Sequence, residues 1–166
     1  MKDFIKKILV AVNGTENSIH AAMYSIMLAK SCNYKIKFVY VVDSATIRYL
    51  GINQILIQEE EVEFKQDLRQ EGLNNLDYVK SLATLKGLES ETELLEGNIS
   101  SEIVKAAEKY EADLLILGGK EKTKENLYRS SSKKVLSTHR TEILLNAKCP
   151  VLMVQKTDIE AQFKIF

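Results

Sequence analysis

Short apolar runs alternate with longer amphipathic stretches along this chain, and no other feature of the sequence constrains the fold as much. The first run, Ile-Leu-Val-Ala-Val at residues 8–12, is apolar at every position, which is typical of a strand covered on both faces. Three further runs of strand character lie at residues 35–42, 114–117 and 151–154. Residues 92–96 are more polar and predict a fifth, more exposed strand.

The stretches between these runs carry apolar residues at helical spacing. The pattern predicts a first helix that includes residues 19–29, a long helix over 59–85, a third around 103–107 and a fourth around 138–146. The predicted core positions of the long helix are Val62, Leu68, Leu73, Leu76, Val79 and Leu82.

Single residues indicate two of the helix boundaries. Gly87 follows the long helix and is expected to stop it. Ser100 or Ser101 precedes the apolar residues of the third helix and is expected to cap its amino end, because a serine hydroxyl accepts hydrogen bonds from the first free amide groups.

Alternation of strands and helices predicts parallel strands joined by right-handed crossovers, and therefore an α/β fold. Sheets of this kind bind ligands beyond the carboxyl ends of their strands, where the winding order reverses. The informative positions are then residues 13–15, 41–44 and 97–98, and the chain from Gly118 onward.

Length and composition exclude several classes of protein. The 166 residues are expected to form a single domain spanning 1–166, with residues 158–166 as a tail, since domains hold about 100–200 residues. The 23 basic residues equal the 23 acidic ones, which argues against a dedicated nucleic-acid binder. Apolar runs are too short for a membrane span or a signal peptide. The sequence thus predicts a cytoplasmic protein whose Cys32 and Cys149 are free thiols.

The segment from Ser44 to Ile57 has two interpretations. It is too apolar for a plain solvated loop, because Tyr49, Ile52 and Ile55 are among its residues. It is either a flap or short helix packed on the domain, or a lid or a patch that a partner subunit buries.

Four motifs in order resemble the universal stress protein family. Residues 8–18 read ILVAVNGTENS, like the family's first strand, turn and helix, and residues 41–43 (VVD) resemble the end of its second strand. Residues 96–118 resemble its third helix and fourth strand. Residues 147–154 read AKCPVLMV, similar to its final strand. The resemblance covers residues 5–156.

This resemblance implies a three-layer α/β/α sandwich whose five-stranded parallel sheet has the order 3-2-1-4-5. It also implies a cytoplasmic homodimer, in which ATP or AMP is the possible ligand and Mg²⁺ accompanies ATP. The nucleotide-binding residues implied by the resemblance are Ala11, Val12, Asn13, Val41, Gly118, Gly119, Ser137 and Thr138. The dimer interface implied in the same way is the fifth strand, Val151, Leu152, Met153 and Val154.

The proposed nucleotide site departs from the family motif at three positions. Asn13 stands where binding members carry aspartate, Glu121 replaces the second glycine of the phosphate loop, and Ser137 replaces a later glycine. Fifteen residues separate Glu121 from Ser137, a longer interval than the family motif has. Because a glutamate opposes the phosphates and the aspartate charge is lost, we expect ATP binding that is weak or absent.

The longer loop is basic. Seven basic and two acidic residues lie between Lys120 and Arg140, a local charge of +5. Either the loop is a solvated excursion, or it contacts phosphate by a different architecture. The possible anion contacts are Lys120, Lys122, Arg129, Lys133, Lys134 and Arg140.

No catalytic or metal-binding group can be assigned from the sequence. His20 is expected on the surface of the first helix, and His139 has no potential metal ligand at a suitable spacing. The resemblance favours a regulatory or protective stress-response module with an altered nucleotide site. Two alternatives stay open: an ATP-binding member with slow ATPase or switch activity through loop 118–138, and a purely protein-binding dimeric module.

Overall fold

The computed structural model describes residues 5–55, 57–119 and 138–166, and this part of the chain contains five strands and six helices. The strands are β1 (Lys7–Ala11), β2 (Lys35–Val42), β3 (Ser90–Glu96), β4 (Leu114–Gly118) and β5 (Val151–Val154). The helices are α1 (Glu16–Cys32), α2 (Ser44–Ile52), α3 (Gln58–Leu85), α4 (Ile99–Tyr110), α5 (Thr138–Asn146) and α6 (Ile159–Ile165).

The five strands form one sheet in which all neighbours are parallel. Their order is β3-β2-β1-β4-β5, which confirms the predicted topology. β1 lies at the centre, and Ile8, Leu9 and Val10 expose none of their surface, as expected for a run that is apolar at every position. β3 and β5 are the two edge strands.

Helices cover both faces of the sheet and give three layers. On one face α1, α3 and α6 pack on the even-numbered positions of β1, Ile8 and Val10. On the other face α4 and α5 pack on Leu9 and its neighbours. Gly72 brings α3 close to the sheet, since a Cβ atom at this position would lie 2.7 Å from a ring carbon of Tyr40.

The long helix confirms part of the predicted core and corrects the rest. Leu76, Val79 and Leu82 are buried and Leu68 is half-buried, but the predictions for Val62 and Leu73 are wrong because these side chains are 59% and 42% exposed. The first buried residue of α3 is Gly72. The ten residues before Leu68 therefore extend about 15 Å beyond the core, at 1.5 Å per residue.

The segment after β2 forms the short helix α2, but the packing on the domain that the short-helix interpretation also predicted is mostly not found. Of this helix only Ile47 is buried. Tyr49, Ile52, Ile55 and Ile57 expose between 62% and 74% of their surface, so most of the apolar character of the segment is not packed on the domain.

The cap predicted for the third helix needs correction. Neither Ser100 nor Ser101 caps α4: the cap is Asn98, whose Oδ1 accepts a hydrogen bond from the Ser101 amide at 3.0 Å. The tail forms α6, which packs on α1 through Ile159 and Phe163, whereas Phe166 is 46% exposed. No helix among the described residues combines the length and the apolar character that crossing a membrane would require.

Candidate functional site

The turn after β1 places Asn13 at the carboxyl edge of the sheet. Oδ1 of Asn13 accepts hydrogen bonds from Oγ1 of Thr15 at 2.8 Å and from the Thr15 amide at 3.3 Å. The Asn13 amide donates to Oγ of Ser18 at 3.2 Å. Thr15 caps α1, and Gly14 between them has φ +78°, a conformation that few other residues adopt. The turn is thus held by its own side chains.

Gly118, the last residue of β4, touches the first turn of α1. A Cβ atom at this position would lie 2.8 Å from the carbonyl carbon and oxygen of Asn17 and from the amide nitrogen of Ser18. The amide of the Asn17 side chain donates to the Gly119 carbonyl at 3.3 Å. Packing of β4 against α1 therefore requires glycine here, whether or not a phosphate approaches.

Gly119 uses both of its backbone polar groups within the protein. Its amide donates to the Val154 carbonyl at 2.8 Å, and its carbonyl accepts from Nη2 of Arg140 at 2.8 Å. Nε of Arg140 donates to the Gly118 carbonyl at 2.9 Å. A guanidinium charge thus lies at the end of β4, where two carbonyl oxygens accept its hydrogen bonds.

A second contact fixes α5, the helix that carries Arg140. The hydroxyl of Ser100 donates to the carboxylate of Glu142 and lies 2.9 Å from Oδ1 of Asn98. The Glu142 carboxylate therefore lies at the amino end of α4, where the helix dipole stabilises negative charge. Ser100, one of the two serines predicted to cap α4, instead contacts Glu142, which the sequence did not indicate.

Two other side chains lie at the same edge: Asn75, which was not predicted from the sequence, and Asp43, which belongs to the informative segment 41–44. Asn75 on α3 faces the turn, since a Cβ atom on Gly14 would lie 3.0 Å from its Nδ2. Asp43 caps α2 and accepts from Oγ1 of Thr46 at 2.6 Å. The signal for Asn75 was Gly72, one turn earlier, because a glycine inside a helix marks a close approach of that helix to its neighbours.

The structure brings most of the predicted nucleotide residues together. Four of them lie at or beyond the ends of β1 and β2: Ala11, Val12, Asn13 and Val41. The pairing of β1 with β2 continues to Val12, whose amide donates to the Val39 carbonyl at 2.9 Å. Gly118 ends β4, Gly119 follows it, and Thr138 begins α5. Outside the described residues lie Ser137, Lys120, Lys122, Arg129, Lys133 and Lys134.

Backbone groups and neutral side chains make up much of the described part of this edge, and its charged side chains include Asp43 and Arg140. Backbone groups at the ends of β1 and β2 can contact a base and a sugar. Among the residues described, no three His, Cys, Asp or Glu side chains come together as metal ligands. Asp43 accepts two hydrogen bonds from Thr46, and Asn13 is uncharged.

The prediction that His20 lies on the helix surface is wrong. The residue is only 6% exposed, because α6 covers α1 at this point. Its Nε2 lies 3.6 Å from a carboxylate oxygen of Glu160 and 3.9 Å from one of Glu16. His139, in the first turn of α5, has a buried Nδ1 without a hydrogen-bond partner among the described residues.

A polar cluster lies on the α4 face of the sheet, away from the carboxyl edge. Nζ of Lys37 lies 2.6 Å from the carboxylate of Glu93, and Nζ of Lys109 lies 3.4 Å from it. The hydrogen bond from Lys37 lowers the pKa of the Glu93 carboxyl below its usual value. Burial raises the pKa of the nearby Tyr110 to about 12, so this phenol is neutral at physiological pH.

A cavity of about 300 Å³ lies at the other end of the sheet, beside the start of β5. Its lining includes Cys149, whose thiol pKa is raised by burial, and the ion pair of Lys148 with Glu108 at 3.1 Å. A protonated thiol is a poor nucleophile. Cys32 and Cys149 are both free, as expected from the sequence, and neither lies near the carboxyl edge.

The comparisons with known proteins all point to the same family. The model of the universal stress protein family matches residues 5–155. The universal stress protein MJ0531 of Methanocaldococcus jannaschii is 33% identical over 156 residues, which cover 93% of this chain and 85% of that protein.

Solved structures share the fold. A universal stress protein family member from Burkholderia pseudomallei superposes with a TM-score of 0.70 at 22% identity, covering 94% of this chain and all of the other. A family protein from Arabidopsis thaliana, solved with AMP bound, has a TM-score of 0.62 at 17% identity and covers 93% of this chain and 94% of its own.

Proposed function

This chain belongs to the universal stress protein family, and from that premise we propose that it is a regulatory or protective stress-response module with an altered nucleotide site. The site takes the adenosine part of a nucleotide and binds ATP weakly or not at all. Binding of AMP by the Arabidopsis relative supports an adenine nucleotide as the ligand class.

The observation that supports this proposal most strongly is that the backbone N–H and carbonyl of Gly119 both form hydrogen bonds within the protein. A phosphate loop binds its anion through backbone N–H groups that point at the ligand. The Gly119 N–H instead donates to Val154, and the carbonyls of Gly118 and Gly119 accept from Arg140. The start of the loop is therefore bonded within the protein, and a phosphate that used the Gly119 N–H or the Arg140 guanidinium would have to displace these bonds.

Asn13 supports the same conclusion. An aspartate there would add a negative charge able to hold Mg²⁺ beside the phosphates, whereas asparagine offers a neutral oxygen. That oxygen already accepts two hydrogen bonds from Thr15. By contrast, a base held by backbone groups near Val41 needs no particular side chain, so the adenosine half of the site tolerates these substitutions.

A purely protein-binding dimeric module is the second candidate. β5 pairs only with β4 among the described strands, and its residues 151–153 are half-buried. An edge strand of this kind can pair with a second copy through its free backbone groups. In this case the fold provides an interaction surface and the nucleotide has no role.

Isothermal calorimetry with ATP, AMP and adenosine, with Mg²⁺ and at two ionic strengths, distinguishes these functions. We expect adenosine and AMP to bind with similar affinity and ATP to gain little from its additional phosphates. Any gain for ATP is expected to fall with salt, because it would come from the basic residues between Lys120 and Arg140. Submicromolar ATP binding that is insensitive to salt would contradict the altered site. Absence of binding by all three ligands would favour the protein-binding module.

The variant Asn13→Asp tests the missing charge directly. We expect it to raise the affinity for ATP with Mg²⁺ by about tenfold or more, because one charge-assisted contact contributes about 1.5–3 kcal/mol and 1.4 kcal/mol corresponds to tenfold. Asn74→Asp, an exposed position on α3, is the control for the added charge alone. An equal effect of both variants would mean that Asn13 is not at the phosphate site.

A further inference from the structure

The amino-terminal part of α3 and the adjoining α2 form a surface that the domain itself does not use. We define the α2–α3 projection as the described residues from Ser44 to Asp67. Within it only Ile47 is buried, and the buried residues of α3 begin at Gly72. The projection is a formed part of the fold, because Asp43 caps α2 and Gly51 of α2 packs against Glu61 of α3.

Large apolar side chains on the projection are exposed to an unusual degree. Tyr49, Ile52, Ile55 and Ile57 fall within nine consecutive residues, and each exposes more than 60% of its surface. The turn that presents them is tight: the Ile55 amide donates to the Leu50 carbonyl at 2.9 Å. Grouped apolar exposure of this kind marks an interaction surface, whereas single exposed apolar residues need no explanation.

Acidic residues adjoin these apolar side chains. The first two turns of α3, just after Ile57, carry Glu59, Glu60, Glu61 and Glu63, and none of the four forms an ion pair with another described residue. The nearest basic residues on α3, Lys65 and Arg69, both pair with Glu96 of β3. Arg48 is the one basic residue between Ser44 and Gln58. The projection therefore combines exposed apolar surface with uncompensated negative charge.

We propose that the α2–α3 projection is a docking surface for a basic amphipathic helix of a partner protein. Such a helix places apolar side chains on the isoleucines, while its lysines or arginines meet the glutamates of α3. A second copy of this chain is a poorer occupant, since symmetric pairing would bring glutamates against glutamates. An anionic membrane surface would repel the same charges. This surface is distinct from β5 and from the carboxyl edge of the sheet.

A leucine–lysine model peptide tests the proposal without knowledge of the partner. The probe is a fluorescein-labelled peptide with leucine at helical spacing and lysine at every polar position, and its counterpart has glutamate in place of lysine. Fluorescence anisotropy is expected to show saturable binding of the lysine peptide and none of the glutamate peptide. The double variant Ile52→Ser, Ile55→Ser is expected to weaken binding about tenfold or more, as for the loss of interface anchors.

Matched variants separate this surface from general stickiness. Leu85→Ser removes a side chain that is 73% exposed at the opposite end of α3, and it is expected to leave binding unchanged. The double variant Glu59→Gln, Glu63→Gln is expected to lower the affinity for the lysine peptide and to make that affinity less dependent on salt. The control variant Glu89→Gln is expected to change neither. Lysine-peptide binding that is absent, or that all these variants leave equal, would overturn the proposal.

Two further measurements can assign the surface to another occupant, and either would overturn the proposal. One is sedimentation velocity showing self-association that Ile52→Ser, Ile55→Ser abolishes. The other is cosedimentation with phosphatidylcholine–phosphatidylglycerol vesicles that the same double variant abolishes. Monomer–dimer behaviour unaffected by these substitutions, together with no vesicle binding, is the expected result.

Discussion

Gly118 lies so close to Asn17 that a Cβ atom on the glycine would be 2.8 Å from the carbonyl carbon and oxygen of Asn17. The two residues belong to β4 and to the first turn of α1, and their contact joins the two sides of the candidate site. Because the opposing atoms are backbone, they cannot rotate away as a side chain would. Glycine at this position is explained by packing alone.

Gly118→Ala is therefore expected to destabilise the protein by about 1–3 kcal/mol, the range for overpacking in a close-packed interior. Urea denaturation followed by circular dichroism measures the change. Gly51→Ala is the control: its Cβ would meet only the flexible end of Glu61, and alanine favours helix by about 1 kcal/mol. Equal stability of Gly118→Ala and the parent would mean that β4 does not approach α1 so closely.

Gly14→Val is expected to cost about 1–3 kcal/mol of folding free energy as backbone strain. Gly14 has φ +78°, which β-branched residues avoid, and the added side chain would also meet Asn75. Gly14→Asn is expected to lose less, because asparagine tolerates positive φ. Thermal unfolding of both variants gives the comparison, and a Gly14→Val protein as stable as the parent would contradict this turn.

Glu93→Gln is expected to reduce stability at neutral pH by about 1 kcal/mol, and the loss should vanish in acid. The folded-state pKa of Glu93 is lowered, chiefly by the hydrogen bond from Lys37. The stability that the Glu93 carboxylate contributes is therefore present above the pKa of glutamate in the unfolded chain, near 4.3. It is lost as pH falls through the lower pKa of Glu93 in the folded protein.

Urea titrations of this variant and the parent between pH 3 and pH 7 measure the difference directly. The exposed substitution Glu89→Gln controls for loss of one charge. A stability difference that is the same at both ends of this range would rule out the ion pair as its cause.

The proposed homodimer across β5 is tested by Leu152→Lys, because Leu152 is half-buried on the edge strand. Light scattering is expected to show a dimeric parent and a monomeric variant, since an inserted charge disfavours strand pairing. Val154→Lys is a poor probe, because Val154 is 6% exposed and belongs to the core. Leu85→Lys controls for added charge, and circular dichroism verifies that each variant is folded. A variant that remains dimeric would exclude β5 from the interface.

Local pattern was sufficient to predict most of the architecture. Four apolar runs and one more polar stretch identified the five strands, and the bounds predicted for β2 and β5 match the observed ones. Apolar residues at helical spacing identified α1, α3, α4 and α5. A helix that packs on one face of a sheet needs apolar residues every three to four positions, so that they lie on the same side of the helix. This spacing did not identify α6, which is short. The parallel sheet followed from the alternation, and the strand order from the family resemblance.

Tertiary structure alone decided what the site residues contact. The sequence, together with the family resemblance, predicted that Asn13 and Gly118 lie at the ends of neighbouring strands and that Arg140 belongs to a basic segment able to contact an anion. It did not determine that Gly118 packs on Asn17, or that Arg140 bonds the carbonyls of Gly118 and Gly119. Nor did it determine that α6 buries His20 or that Val62 extends beyond the core. The spacing of apolar residues shows which face of an element is buried. These contacts depend instead on how closely distant segments of the chain approach each other, and on where one element extends past its neighbours.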